Sequence, residues 1–150
     1  MNTSDGQLQR WMRQAEADLE TASDSAVSDH FDAACFYSQQ AAEKALKALI
    51  YGRGHKPGQD HIVQNLLKKA EEHATELSNL RPEAEFLDKF YVSSRYPDAL
   101  DSDMAPADYF DQRAFQSDAF QSDAFQTEAV DAKNCVSCAE SILKAVKTYL

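Results

Sequence analysis

The sequence predicts an all-α protein, an antiparallel bundle of four to five helices forming one domain over residues 1–150. Three observations carry that expectation. Apolar residues recur at spacings of three and four in several segments, the period of a helix packed on one side. No run of alternating apolar and polar residues between turn signals reads as a strand. Glycine and proline fall between or at the ends of the periodic segments, where they punctuate helices.

The first helix is expected over residues 7–25, with Leu8, Trp11, Met12, Ala15, Leu19 and Ala22 on one stripe and Ser4 or Asp5 as its cap. A second, about 30–52, starts from a cap at Asp29 and turns Phe31, Ala34, Cys35, Ala41, Ala42, Ala45, Leu46 and Leu49 inward. Gly52 and Gly54 end it. A loop with a Pro57-Gly58 turn follows, and Asp60 is expected to cap a third helix carrying Ile62, Leu66, Leu67, Ala70, Ala74 and Leu77. Pro82 suits the first residue of a short fourth helix with Phe86, Leu87, Phe90 and Tyr91. Pro97 and Pro106 keep the next segment irregular. The last helix is expected from Thr127 to about residue 149, with Ala132, Cys135, Val136, Ala139, Ile142, Leu143 and Val146 inward.

Between these lies a repeat, Ala-Phe-Gln at 114–116, 119–121 and 124–126. A step of five residues turns a helix by about 140° and flips the face of a strand, so Phe115, Phe120 and Phe125 share no face in either. The segment at about 110–126 reads as a duplicated connector, with a partner-docking arm as the other reading.

Acidic residues outnumber basic ones 25 to 15, for a net charge of −10, which argues against broad DNA binding and fits a solubilising surface. Three cysteines and no secretory leader point to a reducing, cytoplasmic setting. No apolar stretch approaches the roughly 20 residues of a membrane span. Cys135 and Cys138 form a Cys-x-x-Cys that Cys35 or His30 would have to complete for zinc. Core cysteines are the expected reading, and neither a metal nor a cofactor is expected. His73 is expected to be a solvated helix residue.

The second helix carries the chemistry. Tyr37, Gln40, Lys44 and Lys47 follow the 3-4-3 step of one face, and Lys44 and Lys47 repel across one turn unless an anion or carboxylate lies between them. Arg53, His55, Lys56 and His61 extend this positive run, opposed only by Asp60. Helix-end electrostatics accounts for such a run as readily as a phosphate contact does. Asp18, on the inward edge of the first helix, needs a partner, with Lys44 and Arg95 as the choices.

The stretches "DHFDAACFYSQQAAEKALKALIYGRG", "DHIVQNLL" and "FYVSSRYPDAL", with "WMRQAEADLETA" before them, resemble the HEPN family over nearly the whole chain apart from the pentamer segment. The resemblance implies a five-helix bundle that pairs as a homodimer. It also implies association with nucleotides, with RNA cleavage, or with a partner nucleotidyltransferase, in a setting like that of toxin–antitoxin systems. The family's ribonucleases use an arginine followed after a short spacer by a histidine. Here none of His30, His55, His61 and His73 follows Arg81, Arg95 or Arg113, and Arg53 is wrongly spaced. The resemblance therefore points to the other branch, in which Lys44, Lys47, His61, Arg95, Tyr96 and Asp98 match the retained polar positions. With Tyr37 and Gln40 these are the expected ligand-binding residues, for a nucleotide or phosphate, and no residue is assigned as catalytic. The alternatives are a ribonuclease toxin with a rearranged Arg95 and His61 pair, and a purely structural interaction module.

Overall fold

The structure, a computed structural model, describes residues 3–93 and 122–150. They form α1 (Thr3–Val27), α2 (Phe31–Gly52), α3 (Val63–Glu71), a 3₁₀ turn (Thr75–Leu80), α4 (Arg81–Ser93) and α5 (Ser122–Lys147). No strand occurs among the described residues. The all-α bundle expected from the hydrophobic periodicity is present.

α2 is the axis of the bundle and packs against α1, α3, α4 and α5. Its alanines make that possible. Ala34, Ala41, Ala42, Ala45 and Ala48 are fully buried and let neighbouring backbones approach, while Leu46, Leu49 and Ile50 fill the remaining core. Each of those large side chains contributes about 1.5–3 kcal/mol by leaving water. The stripe expected on α5 is buried in full, from Ala132 to Val146. On α1 the buried apolar residues are Met12, Ala15 and Ala22. Leu8, Trp11 and Leu19 sit half-buried at its edge. Leu8 rests on Gly52, where a Cβ would collide with it, so a glycine here seats α1 on the end of α2.

Several boundaries differ from expectation. α1 begins at Thr3, which places Ser4 and Asp5 inside its first turn and not at its cap. Asp29 does not cap α2. The N-cap is His30, without a side-chain cap bond, and Asp29 holds a left-handed φ of 62°. Its N–H bonds Ala26 O, and the His30 N–H bonds Ser25 O at 2.8 Å. This pairing is a Schellman motif closing α1.

The start of α3 differs for a long-range reason. Its cap position is Ile62, and the carboxylate of Asp88 on α4 accepts from the N–H groups of Val63 and Gln64, each at 2.9 Å. Asp60 instead accepts from the Ile62 N–H, closing a local turn. α3 stops at Glu71, so Ala74 and Leu77 reach the core from the turn and the 3₁₀ segment that follow. Pro82 is the second residue of α4, not the first.

α5 begins at Ser122, five residues before the expected start, and takes in the third Ala-Phe-Gln. The rest of the connector, with the first two repeats, lies outside the described residues, as do Arg95, Tyr96, Pro97 and Asp98.

Candidate functional site

An alanine-rich helix at the centre of a core is an unfavourable place for charge, and α2 buries Glu43 and Lys47 at 3% and 4% exposure. Both are partnered. Lys47 Nζ donates to Glu43 Oε2 at 3.0 Å along the helix. It also lies 5.4 Å from the centre of the Trp11 ring on α1, as a cation over an aromatic face. Trp11 in turn stacks on Tyr51 at 5.9 Å. Lys47 is thereby walled in, and its charge is answered inside the fold.

Glu43 also reaches the loop that follows α2. His61 Nδ1 lies 3.1 Å from the same Oε2. An ionised carboxylate only accepts, so Nδ1 carries the hydrogen and donates, which leaves Nε2 without a role in this contact. The buried Gln39 fixes the same residue from behind, its Nε2 donating to His61 O at 2.8 Å. Gln40 links the two by donating to Gln39 Oε1 at 2.9 Å and, longer, to Glu43 Oε1 at 3.4 Å. His61 is therefore held through backbone and ring, yet its side chain remains 51% exposed. Tyr91, near the end of α4, stacks beside it at 6.4 Å.

Lys44, one turn before Lys47, has a carboxylate of its own. Its Nζ donates to Asp18 Oδ2 on α1 at 2.5 Å, and Gln14 Nε2 donates to Asp18 Oδ1 at 2.9 Å. The expected repulsion between Lys44 and Lys47 is thus answered by two separate acids on two elements. Asp18 pairs with Lys44, one of the two partners expected for it, and the other, Arg95, lies outside the described residues. Unlike Lys47, Lys44 keeps 21% of its side chain in solvent and lines a groove of about 420 Å³ with Gln7, Arg10, Trp11 and Gln14.

The expected residues therefore fall into distinct settings. Gln40, Lys47 and His61 gather around Glu43, with Lys47 internal and His61 reaching solvent, while Lys44 pairs separately with Asp18 on α1 and also reaches solvent. Tyr37 packs edge-on against Phe36 with centroids 5.0 Å apart, and is half-buried. Arg95, Tyr96 and Asp98 follow α4 in sequence, outside the described residues. The positive run downstream disperses. Arg53 donates to Tyr149 O at 2.9 Å, and His55 lies 4.7 Å from His73, which is half-buried and not fully solvated. Gln39, Glu43 and Tyr91 lie against Gln40 and His61, and Asp18 and the α1 groove wall against Lys44, without having been assigned to the site. Asp18 carries a signal as an acid on an inward edge, and Gln39 and Glu43 as polar residues in an alanine-rich helix, where Gln40, Glu43 and Lys44 satisfying one another is an expected reading.

The cysteines lie apart from this cluster. Cys35 and Cys135 hydrogen-bond each other between α2 and α5, and burial, then that bond, pushes the Cys135 thiol well above its ordinary range. Cys138 is raised by burial and by nearby Glu83. Among the described residues no group of three or more metal-ligating side chains converges, and no helix is long and apolar enough to cross a membrane.

Comparison with known proteins places this geometry in a family. The model of the HEPN domain matches residues 8–149. A curated protein of Methanocaldococcus jannaschii named "Putative toxin MJ1304" is 27% identical over 148 residues, covering 93% of this chain and 86% of that protein. The crystal structure of TT1696 from Thermus thermophilus superposes with a TM-score of 0.77 at 29% identity, covering 95% of this chain and 98% of the other. That of ST0689, described as an archaeal HEPN homologue, gives 0.68 at 33% identity, with 95% and 96% covered.

Proposed function

The chain belongs to the HEPN family, and from that premise we propose that it is a toxin-like helical module that binds a nucleotide or another phosphate-bearing ligand and works with a partner nucleotidyltransferase. The ligand-binding set is Tyr37, Gln40, Lys44, Lys47, His61, Arg95, Tyr96 and Asp98. Within it Lys44 and His61 make direct contact, and Lys47 sets the position of Glu43. The module acts as a cytoplasmic homodimer, a setting that its three unpaired cysteines fit.

The observation that carries this reading is the way α2 spends its polar residues. Buried Gln39 and Glu43 hold a half-exposed histidine by backbone and ring, while a second lysine faces an open groove. A helix selected only for packing gains nothing from this, because buried ion pairs are neutral or worse for stability than apolar side chains of the same size.

Melting in the presence of ATP tests the ligand. A ligand at about 100 times its dissociation constant adds about 2.7 kcal/mol of stability, so millimolar ATP is expected to raise the melting temperature of the wild type and much less that of His61→Ala or Lys44→Ala. An unmoved wild type sinks the ligand reading and leaves an architectural module. Co-expression with a small nucleotidyltransferase tests the partner, expected to purify with the chain as a complex of two copies of each.

A second reading, a ribonuclease with a rearranged pair of Arg95 and His61, is favoured by one feature. A carboxylate on Nδ1 and an exposed ring is the arrangement that proton transfer requires. RNA degraded by the wild type and spared by His61→Ala would establish it. RNA left intact by both removes it.

A further inference from the structure

The groove along α1 carries an assignment of its own, resting on the reading above that the module takes a phosphate-bearing ligand. We infer that Gln7, Arg10, Trp11, Gln14 and Lys44 form the seat of a phosphorylated small molecule, whose phosphate competes with Asp18 for Lys44.

The polar groups of the lining include four side chains able to donate, set beside an apolar wall. Arg10 and Lys44 are cationic, Gln7 and Gln14 carry amides, and no carboxylate lines the space. On a chain of net charge −10 that is an unusual surface. Arg10 is exposed and makes no ion pair among the described residues, so its guanidinium remains available for two-pronged contact with a phosphate.

The acid bonded to the lining is Asp18, 5% exposed. It accepts from Lys44 at 2.5 Å and from Gln14 at 2.9 Å, two of the lining residues. An anion already occupies those donors from inside the fold. A phosphate arriving from solvent meets the same donors from outside and gains Arg10 as well.

The remaining wall is the indole of Trp11, fixed by Tyr51 and by Lys47. At about 420 Å³ the space exceeds what a bare phosphate fills and lies in the lower part of the range of small-molecule sites. The class of ligand that uses both walls is a phosphomonoester with a planar or apolar body, such as a nucleoside monophosphate.

Isothermal titration of inorganic phosphate, AMP and ATP into the full-length chain tests this. AMP is expected to bind more tightly than inorganic phosphate. Arg10→Ala, at an exposed position, should weaken AMP about tenfold through the lost charge-assisted bonds. Arg13→Ala, an exposed cation outside the groove, should leave it unchanged. Asp18→Asn keeps the shape but removes the competing charge, and should tighten AMP, a gain that a merely structural Asp18–Lys44 pair would not produce. If Asp18→Asn fails to fold, Arg10→Ala decides alone. Affinities within twofold of wild type in both variants, with His61→Ala abolishing binding, overturn the groove and leave the module's ligand reading intact. A wild type that binds none of the three probes overturns both.

Discussion

Glu43 Oε2 accepts from two side chains, Lys47 Nζ at 3.0 Å from within the core and His61 Nδ1 at 3.1 Å from the loop. The contact decides what each substitution does. Glu43→Ala strands a buried ammonium with only the Trp11 ring for company, and is expected to cost about 3–5 kcal/mol. Lys47→Met should cost less, because His61 and Gln40 still donate to Glu43. The double change Glu43→Leu with Lys47→Met should recover most of the loss, since an apolar pair of similar volume carries no desolvation penalty. Urea denaturation of the three proteins checks the order. A cost below about 1 kcal/mol for Glu43→Ala would mean that the carboxylate is not what holds Lys47.

The contact between Asp88 and α3 is of a different kind, joining two helices through backbone. Asp88 takes the N–H groups of Val63 and Gln64 and also the Gln64 side chain at 3.1 Å. Its charge faces the positive end of the α3 dipole. Asp88→Ala is expected to cost about 1–2 kcal/mol, as loss of a helix cap does. Asp88→Asn, which keeps one accepting oxygen and loses the charge, should cost less. Hydrogen exchange would localise the effect, with the Val63 and Gln64 amides losing protection first. Equal protection in wild type and Asp88→Ala would refute the capping role.

These two relationships mark where the sequence was legible and where it was not. The inward stripes of α2 and α5 follow from a period of three to four residues, which is local and sets the buried face directly. Local pattern points to Asp60 as the α3 cap because it sees only neighbours, whereas the carboxylate that accepts from the α3 amides lies 25 residues from Val63. Lys44 and Lys47 are equivalent by spacing. What separates them is the set of side chains above each, Asp18 and open groove for one, Trp11 and Glu43 for the other. Trp11 on an amphipathic stripe reads as core, and the groove it walls with Arg10 is visible only in the fold.

Asp29 shows how a capping residue misleads. It precedes α2 and has the chemistry of an N-cap, yet it sits at φ 62° as the residue that closes α1. The left-handed region costs about 1–2 kcal/mol for residues with a Cβ, less for aspartate, and nothing comparable for glycine. Asp29→Gly is therefore expected to stabilise by about 0.5 kcal/mol, after its extra entropy in the unfolded chain is counted. Asp29→Val should destabilise by about 1 kcal/mol or more, a β-branched residue being poorly tolerated there. Thermal melting of both variants tests the sign, and a stabilising valine would contradict the left-handed assignment.

Cys135 gives the protein an alkaline limit. Its thiol, ordinarily titrating at 9.0, is pushed far upward by burial and by its hydrogen bond with Cys35. In the unfolded chain it releases its proton near 9.0, while in the folded protein it keeps it. Above that pH the unfolded state binds fewer protons than the folded one, so stability falls as pH rises, by about 1.4 kcal/mol per pH unit for one such group. Below it both states hold the proton and the group contributes no slope. Urea midpoints between neutral pH and pH values above 9.0 should show this decline in the wild type, and a shallower one in Cys135→Ala, which has no proton to lose. Parallel declines in the two proteins would show that the buried thiol ionises without opposing the fold.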